Sequence, residues 1–178
     1  MFDFETNVPL KITIAAVEAD FNLDNYENLP ILPRDERHFR GTFPKSDILI
    51  DVERKGKDIT KIVLGKDKEG FEEWLEGYDN LTGDKVINKG NYGMVYKFTF
   101  TANSKVGILI NPRGLTFKGA FQGFDEKIYG APGIGAFYGL NKAAVVGVLE
   151  NGETRSLIYT PPNGSDAPVL LIIMPEKH

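Results

Sequence analysis

The chain has 178 residues, 42% of them hydrophobic, with no cysteine, two histidines and a formal net charge of −4. That length suits one domain, 1–178, large enough to hold its own core, and the hydrophobic content argues against disorder. The composition excludes a disulfide framework, a thiol nucleophile and a thiolate zinc site, and His38 and His178 are too far apart in sequence to suggest a histidine-rich metal centre.

No apolar run approaches ~18 residues, so no membrane-spanning helix is expected. The opening Met1-Phe2-Asp3-Phe4-Glu5 lacks a basic region followed by an apolar one, so no signal peptide is expected in this chain. In order, Leu10-Lys11-Ile12-Thr13-Ile14-Ala15-Ala16-Val17 alternates apolar and polar residues and predicts a strand with one buried face. Residues 20–28 are rich in Asn and Asp and predict a loop. The two prolines of Leu29-Pro30-Ile31-Leu32-Pro33 confine that stretch to an extended edge segment. Arg34, Arg37 and Arg40 lie three apart and would gather on one side of a short helical turn. That turn is either an anion site or a set of arginines pairing locally with acids.

Residues 47–53 and 58–64 read as two strands joined in a hairpin by Arg54-Lys55-Gly56-Lys57. Phe71, Trp74 and Leu75 fall at i, i+3 and i+4, which predicts a short amphipathic helix over 69–77. Trp74 then either fills the gap between helix and sheet or serves as a sugar-stacking platform. Residues 79–84 have the composition of a turn, with too few regularly spaced oxygen ligands for a calcium loop.

The sharpest strand lies at 92–101, with Tyr92, Met94, Tyr96, Phe98 and Phe100 on one face and Val95, Lys97, Thr99 and Thr101 on the other. Full burial of each large side chain contributes roughly 1.5–3 kcal/mol, so this face belongs in the core. Residues 106–110 form the next strand, ended by the turn Asn111-Pro112-Arg113-Gly114. Glycines at 119, 123, 130, 133 and 135 break the succeeding stretch into short pieces. That region is either a set of tight turns or a binding rim carrying Arg113, Phe117, Phe124, Tyr129 and Tyr138. The run from Gly130 to Gly135 lacks the pattern of a phosphate-cradling loop. Three strands close the chain, at 143–149, 154–159 and 169–173, separated by turns containing Asn151-Gly152 and Asn163-Gly164.

Charge is segregated along the chain. Residues 69–84 carry six acids and no base, whereas 85–142 carry eight bases and two acids. Either the acidic and basic segments pair internally, or the basic block forms a face for anionic partners.

Many short strands, glycine turns and the absence of a βαβ rhythm predict an all-β fold. It is an antiparallel β-sandwich of Greek-key or jelly-roll type, with at most one short helix. The strings at 29–35, 38–44, 90–93, 111–114, 119–121 and 131–133 resemble a module of secreted Bacillus and Paenibacillus-type proteins. Such proteins often also carry a stalk repeat like that of the copper amine oxidase N-terminus. The likeness spans 10–173 and implies an extracellular or cell-wall-associated location. It carries over no catalytic or copper-binding residue.

The expectation is therefore a non-catalytic extracellular or cell-surface module for binding or attachment, with anionic cell-wall polymers as partner. Its ligand-binding candidates are Arg113, Phe117, Phe124, Tyr129, Tyr138 and Trp74, with no catalytic residue, metal or cofactor. A carbohydrate-binding module is the first alternative, and a surface protein is a further possible partner. A carboxylate-dependent hydrolase drawing on residues such as Asp47, Asp51 and Asp84 is the other alternative. A pI of about 5.3 and the lack of a recognisable motif argue against nucleic acid.

Overall fold

The computed structural model describes residues 7–33, 40–54, 58–66, 73–162 and 164–176. Two sheets face one another. The first has strand order β1 (Asp47–Arg54), β5 (Val95–Ala102), β12 (Thr154–Tyr159), β8 (Gly119–Gln122) and β9 (Ile128–Ala131). The second has order β11 (Ala144–Leu149), β6 (Val106–Pro112), β13 (Val169–Pro175) and β2 (Thr60–Leu64). Two ribbons complete the fold: β3 (Leu75–Tyr78) with β4 (Lys85–Asn88), and β7 (Thr116–Phe117) with β10 (Phe137–Tyr138).

The core lies between the sheets. Alternation within β5 sends Tyr96, Phe98 and Phe100 inward, where they meet Ile108 and Ile110 of β6, Leu157 and Tyr159 of β12, and Leu171 and Ile173 of β13. The rings of Tyr96, Phe98 and Phe100 stack in sequence, with centroids 6.2 and 5.6 Å apart. The fold is an all-β sandwich, and the chain changes sheet at β1–β2, β5–β6, β11–β12 and β12–β13. Such jumps between layers replace simple meanders. Every strand pair is antiparallel except β1 with β5, which is parallel.

Four local expectations are corrected. Residues 10–17 form no strand, and all of them are exposed. Residues 23–28, expected as loop, wind into a short 3-10 helix capped by the Asn22 side chain. Strands β1 and β2 are not a hairpin, because β1 pairs with β5 in one sheet and β2 with β13 in the other. The helix over 69–77 is replaced, where the chain is described, by strand β3. Its backbone is claimed from outside: the Leu75 N–H donates to Asn91 Oδ1 at 2.9 Å, and β4 pairs along it. Arg34, Arg37 and His38, and the turn residues 55–57, lie outside the described residues.

Candidate functional site

Beyond Asn111 three stretches of chain meet where β6 runs out: 111–118, 137–142 and 165–168. Their backbones are stitched together. Asn111, 7% exposed, donates from Nδ2 to the carbonyls of Leu140 and Lys142 at 2.8 and 2.6 Å. The Arg113 N–H donates to the Pro168 carbonyl at 3.0 Å. Thr116 and Asp166 exchange bonds, with Thr116 N–H donating to Asp166 Oδ2 and Asp166 N–H to the Thr116 carbonyl, each at 2.7 Å. Ser165 Oγ accepts from the Lys118 N–H and donates to the Lys118 carbonyl. On the other flank, the Gly139 N–H donates to the Leu115 carbonyl, continuing the β7–β10 ribbon.

With so many backbone groups satisfied, this is a fixed platform. It presents Arg113, Leu115, Lys118, Tyr138, Leu140 and Lys142 to solvent. Leu115 is 78% exposed and Tyr138 68%.

The charges separate into two sets. Of the eight bases in 85–142, Lys85, Lys97, Lys105 and Lys127 pair with Glu76, Asp47, Glu150 and Asp125. Hydrogen bonding to Lys97 holds the Asp47 carboxyl below its usual value, and Glu150 raises the Lys105 ammonium. Arg113, Lys118 and Lys142 have no carboxylate within ion-pair distance among the described residues. Internal pairing thus accounts for half of the basic block, and three of the remaining cations share the platform.

Arg113 and Tyr138 are the two expected site residues that the fold brings together. Phe117 is corrected to a core residue. It is fully buried, pairs with Phe137 across the ribbon, and packs where a side chain on Gly119 would stand. Phe124 is half-buried against the core, its ring in the space left by Gly147 of β11. Tyr129 lies on the β8–β9 hairpin with its ring over Gly123. Its hydroxyl donates to Asp125 Oδ2 at 2.7 Å, which lowers the Asp125 carboxyl and raises the tyrosine. Trp74 is half-buried, and its indole N–H donates to the Gly65 carbonyl at 3.1 Å. Its indole N–H is thus engaged within the fold. The exposed tyrosines 26, 78, 129 and 138 fall on four separate elements, not in a row. Leu115, Lys118, Leu140 and Lys142 were not singled out in the sequence; only the basic count of their block pointed towards them.

Among the described residues, Asp47 and Asp51 are not placed as a catalytic pair. Asp47 and Asp51 are four residues apart on one strand, about 13 Å along it. Glycoside hydrolysis requires roughly 5–9.5 Å across a cleft. Asp84 accepts a hydrogen bond from the Thr82 hydroxyl within its turn. Asp79, 1% exposed, is occupied by Arg40 and by the Leu81 N–H. No group of three potential metal ligands occurs among the described residues. A recess between Tyr92, Tyr159, Pro161 and Ala167 has about the room of one water molecule.

No family model, no curated protein and no solved structure matches this chain. Among the described residues no helix is long and apolar enough to cross a membrane.

Proposed function

We propose that the chain is a non-catalytic binding module, extracellular or cell-wall-associated, that holds an anionic cell-wall polymer on the 111–118 and 137–142 platform. One observation carries this reading: Arg113, Lys118 and Lys142 project from one stitched scaffold without a carboxylate partner among the described residues. Cations held on a rigid base attract a polyanion at little ordering cost, and such binding weakens as salt rises. The location rests on the likeness to secreted modules.

The test is co-sedimentation with purified bacterial cell walls across a salt series. Strong binding at low salt, lost at high salt and in the triple variant R113E/K118E/K142E, is expected. Reversing Lys61, which lies on β2 in the sandwich body, should leave binding intact. Undetectable binding at low salt removes the reading.

The exposed ring of Tyr138 beside these cations favours a second reading, stacking against a sugar. That module would bind neutral glycans independently of salt and lose affinity with Tyr138→Ala alone.

A further inference from the structure

The cross-strand register of the second sheet fixes which side chains share its outer face. Ile108 and Ile110 of β6, Leu171 and Ile173 of β13, and Ile62 and Leu64 of β2 point into the core. The alternate positions therefore point away from it. They form two rows across the sheet: Val145, Leu109 and Ile172 ending at Lys61, and Val148, Gly107 and Met174. The register shift in β11 keeps both valines outward, Val145 64% and Val148 49% exposed. Leu170 and Val63 begin a third row. The outer face of the first sheet differs. There β5 presents Lys97, Thr99 and Thr101, and β1 presents Asp47, Leu49, Asp51 and Glu53. One sheet thus turns a charged and hydroxylated face to water, and the other an apolar one.

Gly107 makes the apolar face complementary to itself. Within 4 Å a Cβ there would meet only Leu109 Cδ1, at 3.9 Å, so Gly107 marks a pit between Val148 and Met174. Leu109, two residues along β6, is the adjoining knob. A two-fold axis through Ile108, running across the strands, sets each Leu109 over the Gly107 of a second copy. The same operation sets Val145 over Val148 and Ile172 over Met174, so apolar groups meet throughout. Lys61 is the only charged residue in the rows. It lies on β2 at the margin, where its long stem leaves the ammonium in water. Three rows on strands about 4.8 Å apart give a footprint of roughly 400 Å² per copy, against about 800 Å² per partner in a standard stable interface. A pair of that size forms only at high concentration.

We propose that the outer face of the β11-β6-β13-β2 sheet docks on the same face of a second copy of this chain, about a two-fold axis through Ile108. The contact is isologous, with β6 crossing its counterpart at the centre.

Sedimentation velocity of the full chain from micromolar to near-millimolar concentration tests this. The native chain dimerises towards the top of that range. Val145→Glu sets an unpaired carboxylate in the contact and weakens association by more than roughly tenfold. Gly107→Val is the sharper variant. It adds an apolar side chain to the face, yet by filling the pit it weakens association to a similar degree. Val145 is exposed and valine suits a strand better than glycine, so melting temperatures at micromolar concentration hold or rise. Ser156→Glu, exposed on β12 of the first sheet, leaves association intact. A chain that stays monomeric at the highest concentration overturns the proposal. So does a Gly107→Val chain that associates as well as the native one or better, or a Ser156→Glu chain that loses association as Val145→Glu does.

Discussion

Arg54 Nη1 donates to the carbonyl of Ile173 at 3.1 Å, joining the end of β1 in one sheet to β13 in the other. The alternation that sends Ile48, Ile50 and Val52 inward leaves Arg54 no outward choice, and it is 4% exposed. A buried guanidinium is tolerated only where it is hydrogen-bonded. Arg54→Ala removes the bond and the packed stem together, and should cost roughly 2–3 kcal/mol in urea unfolding. Arg54→Met keeps most of the stem and should cost about half of that. A neutral Arg54→Ala would show that the link between the sheets contributes nothing.

The pair Arg40–Asp79 makes stability depend on acid. Arg40 Nε lies 2.9 and 2.8 Å from the two carboxylate oxygens, and the Leu81 N–H adds a third bond. These hold the Asp79 carboxyl below its ordinary 3.8. The unfolded chain therefore takes up the proton first. The contribution is complete above about pH 4 and is lost as pH falls through the lower, folded value. Asp47, Asp125 and Glu153 are lowered too and act in the same direction. Asp79→Asn should lower the urea midpoint at neutral pH and flatten its decline in acid. Parallel acid profiles for the variant and the native chain would remove Asp79 from this account.

Gly114 lies against the backbone of Asp166, and a Cβ added there would stand 2.8 Å from the Asp166 carbonyl oxygen. Neither backbone is free to retreat, since Thr116 and Asp166 exchange two hydrogen bonds. Gly114→Ala should lower stability by roughly 1–3 kcal/mol and weaken wall binding by displacing Arg113. Gly133 has nothing within 4 Å of such a Cβ. Gly133→Ala should be neutral within about 0.5 kcal/mol in the same thermal melts. Equal melting temperatures for the two variants would refute the close approach as the cause.

Legibility in the sequence tracked the range of the interaction. Tyr96, Phe98 and Phe100 were readable as a core row because period-2 alternation is local and the strand found partners on both sides. Ile12 and Ile14 carry the same pattern, yet alternation reports strand propensity and not the presence of a partner within the molecule. Trp74 and Leu75 had helical spacing, but Asn91, sixteen residues beyond Leu75, claims the Leu75 N–H. Lys57 and its neighbours read as a hairpin, whereas pairing with β5 and β13 assigned the two strands to different sheets. On the platform, Arg113 and Tyr138 had been singled out by charge and composition, and both are exposed there. Phe117 was not told apart from them, because an aromatic in a glycine-rich stretch reads alike whether it points in or out.

Asn91 is the sharpest test of how the loop 88–93 is held. It is fully buried with φ 51°, a left-handed conformation that asparagine tolerates better than most residues. Its side chain replaces a missing strand neighbour: Oδ1 accepts from the Leu75 N–H at 2.9 Å and Nδ2 donates to the Glu73 carbonyl at 3.2 Å. Asn88 performs the same double role on the backbone of Tyr92. Asn91→Ala leaves two backbone groups unsatisfied and strains the backbone, about 3 kcal/mol in sum. Asn91→Gly loses the bonds but relieves the strain, and should cost about 1 kcal/mol less. Asn91→Asp keeps the acceptor for Leu75 but sets a carboxylate against the Glu73 carbonyl, so its loss should shrink as pH falls and the carboxyl gains a proton to donate. Urea unfolding of the three variants at neutral and acid pH reads this order. A glycine variant less stable than the alanine variant would contradict the strain, and an aspartate loss indifferent to pH would contradict the bond to Glu73.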